Sequence, residues 1–111
     1  MQQRRSRWNL VGREVRDGAG RRLGPVVDTW PWDGGGEPEL VVVRLGGAHG
    51  GPRMLRLADL WDEGRALRTA FARWQVEDSP ELAADRHGVD DPWRAKSYWL
   101  FEEPAGLLGT A

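Results

Sequence analysis

The sequence predicts a mainly β protein, a small antiparallel β-barrel followed by a C-terminal helical extension. Three observations predict it. Five short apolar segments lie between Leu10 and Thr69, separated by glycine-rich turns. One of them, Leu40–Leu45, holds three consecutive valines, which favours a strand buried on both faces. After Thr69 the glycine punctuation gives way to two stretches that begin with a capping residue and a proline. Short strands joined by close turns fit a closed or nearly closed barrel better than a layered α/β fold.

The first strand is expected over Leu10–Arg16, ending at Asp17-Gly18-Ala19-Gly20, where glycine can supply positive φ for a hairpin. Leu23–Trp30 resumes as the second strand. Pro25 has no N–H to donate, so the strand's start must lie at an edge or turn that position outward. Pro31–Pro38 is a glycine-rich loop, and Leu40–Leu45 is the central strand. Gly46–Pro52 turns the chain into Arg53–Leu57, where Leu55 and Leu57 alternate with Met54 and Arg56. Arg65–Thr69 alternates in the same way. Ser79 then reads as the cap of a helix reaching about Gly88, with Pro80 first inside it. Asp91 and Pro92 announce a second helix that Pro104 ends. The division that follows is a disordered basic leader over 1–8, a barrel domain over 9–82, a helical extension over 83–104 and a loose tail over 105–111.

Composition narrows the function classes. At 111 residues the chain is one domain, large enough for a modest core. It has no cysteine, which excludes a disulfide framework and a thiolate metal site. No apolar run approaches the roughly 20 residues that span a bilayer, and the basic N-terminus has no apolar region behind it. Neither membrane insertion nor secretion is expected, and a cytoplasmic location follows by elimination. The net charge of −1 is unevenly placed: residues 1–30 carry seven arginines against three acids, and residues 59–103 carry eleven acids against six bases. Such asymmetry can steer association with a charged partner or a second copy of the chain. The near-absence of lysine beside many arginines fits GC-rich coding.

The order of segments resembles a known family. Leu10-Val11-Gly12-Arg13-Glu14-Val15, then Gly24 and Val26-Val27-Asp28, then Leu40–Gly47, then Arg53-Met54-Leu55-Arg56-Leu57 with Ala58-Asp59-Leu60, and finally Val76-Glu77-Asp78-Ser79-Pro80 follow one another as in a PRC-barrel domain. This domain occurs in the photosynthetic reaction-centre H subunit and in a ribosome-maturation factor. The resemblance covers roughly residues 9–82, and it implies a docking scaffold without a catalytic set of its own. Pro25 departs from the pattern, as does the aromatic corner Trp30-Pro31-Trp32.

Residue types that carry chemistry are sparse. The glycine clusters Gly34–Gly36 and Gly46–Gly51 precede no helical pattern and lack a following Lys-Ser/Thr, so they read as turns rather than a phosphate loop. His49 and His87 have no ordered ligand set around them, and no serine stands in a Gly-x-Ser-x-Gly elbow. No catalytic residue, metal or cofactor is therefore expected. The tryptophans say more, because seven in a chain this short exceed what a small barrel can hide. Aromatic side chains are common interface anchors. Trp30, Trp32, Trp93, Tyr98 and Trp99 are accordingly the candidate partner-binding residues, and the helix 92–101, apolar nearly all round, must be buried on its own barrel or on another chain. The function expected is a non-catalytic protein-docking module that self-associates, as a homodimer, through this surface. The alternative is an RNA- or ribosome-associated factor using Arg4, Arg5, Arg7, Arg21 and Arg22, with Trp8 stacking on a base.

Overall fold

Valine-rich and alternating segments do become strands, arranged in a sheet that curls into a half-barrel. The computed structural model describes residues 7–32, 37–82 and 90–106. Its elements are a helical turn α1 (Arg7–Leu10), strands β1 (Glu14–Arg16), β2 (Arg22–Trp30), β3 (Leu40–Leu45) and β4 (Gly51–Arg56), a single turn of tighter helix at Leu57–Asp59, strands β5 (Leu60–Asp62) and β6 (Ala66–Thr69), and helices α2 (Arg73–Asp78) and α3 (Asp91–Leu100). The strand order is β4-β3-β2-β1-β6-β5. Neighbours are antiparallel except β1 and β6, which run parallel with Val15 opposite Leu67.

The sheet curls because β2 is long and irregular. It pairs with β1 at one end and with β3 at the other, and its register shifts in both ladders. Gly24 makes the bend possible: its φ is +154°, and a Cβ there would sit 1.9 Å from the carbonyl oxygen of Arg44. Pro25 sits on an interior strand rather than at an edge, the first of the two arrangements expected. It is tolerated because the β3 ladder begins only at Val26, leaving no β3 residue paired with it. Val15, Leu23, Val26, Val41, Val43, Leu55 and Leu67 from five of the strands share one core.

Several expected elements are shifted. Leu10 ends a helical turn and is buried, and the first strand starts only at Glu14. A sixth strand, β5, lies in a stretch with no clear alternation, held by its ladder to β6. Helix α2 fills residues assigned to no element from sequence, and Ser79 follows its end rather than capping a new helix. Glu81 instead bridges to Arg53 on β4. The remainder of the expected 79–88 helix lies outside the described residues.

The C-terminal segment is fastened by one buried side chain. Gln75, 1% exposed, accepts hydrogen bonds from the amides of Ala72 and Ala105. Its amide nitrogen donates to the Glu103 carbonyl at 2.7 Å and to Glu102 at 3.1 Å. Beyond it the backbones of Gly106 and Gly18 cross so closely that a Cβ on Gly18 would lie 2.6 Å from the Gly106 Cα.

A candidate partner-binding surface on the C-terminal helix

Helix α3 begins at an Asp-Pro pair, with Pro92 in the first turn and Asp91 buried 3.6 Å from Arg94. One stripe, Pro92, Ala95 and Trp99, packs against the sheet, principally on β4. Trp99 is 1% exposed, its indole N–H donates to the carbonyl of Met54 at 2.7 Å, and its ring lies 4.5 Å from that of Phe71. Tyr98 is half-buried, edge-on to Trp99, and donates its hydroxyl to the Gln75 carbonyl at 2.6 Å. Burial, with the nearby Glu102 carboxylate, holds the Tyr98 phenol well above its ordinary pKa.

The opposite stripe is left in solvent. Trp93, Ser97 and Leu100 recur at helical spacing and form one wall of a groove of about 750 Å³, with Leu57, Ala58 and Leu60 forming the other. Trp93 is 61% exposed, Leu100 66% and Phe101, just past the helix, 84%. At one end of the groove Lys96 places its ammonium 4.6 Å from the Trp30 ring centroid and 4.8 Å from that of Trp93, and bonds Glu39 at 3.0 Å. Arg56, paired with Asp59 at 2.7 Å, lines the other wall. The result is an apolar trough rimmed by ion pairs, suited chemically to the apolar face of another polypeptide.

The structure therefore sorts the aromatic candidates. Trp93 is exposed, and Lys96 joins it to the half-buried Trp30. Trp32 packs partly against the core. Trp99 points inward, and a ring that hydrogen-bonds β4 from within the core is not free to meet another chain, whereas Tyr98 is half-buried with its hydroxyl held by α2. Sequence reasoning missed Leu100, Phe101 and the Lys96 clamp. Their signal was the Trp93-Lys96-Ser97-Leu100 spacing, masked because the stripe opposite also carries a tryptophan.

Arg4 and Arg5 and the side chains of Arg7 and Trp8 lie outside the described residues. Arg21 and Arg22 are exposed at the β1–β2 hairpin. The Arg22 Nε donates to Glu14 at 2.6 Å, and that hydrogen bond, with the carboxylate charge, raises the guanidinium's pKa further. His49 is exposed in its loop, and His87 lies outside the described residues. No helix among the described residues is long and apolar enough to cross a membrane. No protein-family model matches the chain, and a search of curated proteins returned no match.

Proposed function

We propose that this chain is a non-catalytic, cytoplasmic protein-docking module of the PRC-barrel kind, which self-associates and receives its partner on the Trp93–Leu100–Phe101 face. The observation that carries the reading is the exposed apolar stripe of α3 standing over an open apolar groove. Keeping three large apolar side chains in water forgoes about 25 cal/mol for every Å² that a partner would cover. An anchored helix explains how the face keeps its shape: Trp99 and Ala95 hold α3 from behind, so Trp93 and Leu100 are presented without ordering cost. The curled six-stranded sheet supports the family reading, together with the ordered sequence pieces given above.

Light scattering tests self-association directly. The natural chain is expected to show a dimeric mass at ~100 µM, and the Trp93→Ala, Leu100→Ala double variant a monomeric mass, with equal unfolding midpoints only at dilutions where both are monomeric. A strictly monomeric natural chain at that concentration removes the self-association. Affinity capture with both proteins tests the docking role, and identical partner sets would place docking elsewhere on the molecule.

A further inference from the structure

A second pocket lies away from the α3 groove, at the bend of β2. It has a volume of about 410 Å³ and is lined by Arg22, Gly24, Arg44, Gly46 and Arg73. We propose that this pocket binds a phosphate group. Three arginines from distant parts of the sequence line it: one from the start of β2, one from β3 and one from the first turn of α2. Two are already balanced. Arg22 holds Glu14 at 2.6 Å, and Arg73 holds Glu77 through its Nε at 2.8 Å. The terminal nitrogens of Arg73 are drawn to the carbonyls of Arg22 and Gly46, which fixes its plane at the pocket wall.

Arg44 is different. It is exposed and makes no hydrogen bond or ion pair among the described residues, so the pocket carries one surplus positive charge with every donor of that side chain available. Arg21, next along the chain from Arg22, is likewise exposed without an ion pair among the described residues and adds to the field. The uncommitted planar N–H fork of Arg44, beside the terminal nitrogens of Arg22, suits an oxyanion, and charge-assisted bonds of this kind are the strong ones. Phosphate could come from a free phosphorylated compound or from a nucleic-acid backbone, which share this chemistry.

Calorimetric titrations with pyrophosphate and with a single-stranded RNA of about 12 nucleotides, both in ~20 mM salt, test the site and separate the sources. Saturable binding of at least one probe is expected. Arg44→Ala should weaken it about tenfold, while Arg65→Ala, which removes an equal charge at the β5–β6 turn, should leave it unchanged. Because Arg44 has no partner among the described residues, its variant is expected to keep the natural unfolding midpoint, and Arg44→Lys should restore part of the affinity. Pyrophosphate binding without RNA binding assigns the pocket to a free phosphorylated compound. Tighter RNA binding that depends on Arg44 assigns it to a nucleic-acid backbone, and Trp93→Ala should alter neither result. No saturable binding of either probe, or equal weakening by Arg44→Ala and Arg65→Ala, overturns the proposal.

Discussion

Gly24 and Tyr98 show how much a single position can decide in a chain this small. At Gly24 the backbone of β2 passes under the Arg44 carbonyl with a φ of +154°, so an added methyl meets both a steric clash and an unfavourable dihedral. Gly24→Ala is expected to cost about 3 kcal/mol or to prevent folding, read by urea denaturation. Tyr98 is the single tyrosine of the chain, so its titration can be followed by tyrosinate absorbance without ambiguity. Its pKa is raised in the folded state. The unfolded chain ionises near pH ~10 while the folded chain stays neutral, so the contribution to stability is complete below pH ~10 and is lost as pH rises toward the folded value. Tyr98→Phe should remove that alkaline loss, checked by denaturation curves across the alkaline range. Neither the bend at Gly24 nor the shift at Tyr98 can be read from sequence, because each depends on a neighbour more than 19 residues away or on burial.

Among the elements, α3 is the informative one. Each of its two stripes carries a tryptophan, yet one is core and the other is surface. Trp99→Ala is therefore expected to destabilise the protein by about 4 kcal/mol, through the lost ring volume and the orphaned Met54 carbonyl. Trp93→Ala should change the unfolding free energy by less than about 0.5 kcal/mol, since its ring is mostly in water. Comparing the two by chemical denaturation checks the division of the helix into an anchoring and a presenting face. Helix α2 matters through Gln75, a buried amide satisfied on both its oxygen and its nitrogen. Gln75→Ala should cost about 2 kcal/mol and speed hydrogen exchange at Ala105, because the C-terminal segment loses its tie. Such a helix of six residues escapes periodicity analysis: it is too short to display a stripe, and its hub is a polar residue.

At the scale of the whole molecule, the described surface includes an apolar trough along α3 and an arginine-lined pocket at the β2 bend. If the trough mediates self-association, adding salt should leave the dimer intact or strengthen it, whereas phosphate binding should weaken steeply. Light scattering and titration at low and high salt check that contrast on one sample. The mainly β class, strands at 23–30, 40–45, 53–57 and 65–69, each within two residues of its observed bounds, and the start of the last helix were legible in the sequence, because alternation, β-branched runs and an Asp-Pro start are local signals. Missing from it were the parallel β1–β6 pairing and helix α2, held by partners distant in sequence, and the strand β5, whose three residues are too few to display alternation. The tryptophans follow the same division. Their number alone required some of them to lie at the surface, since a core this small cannot enclose seven indoles. Which ones do so was decided only by packing: Trp99 found a buried carbonyl on β4 to bond, and Trp93, six residues earlier on the same helix, was turned outward.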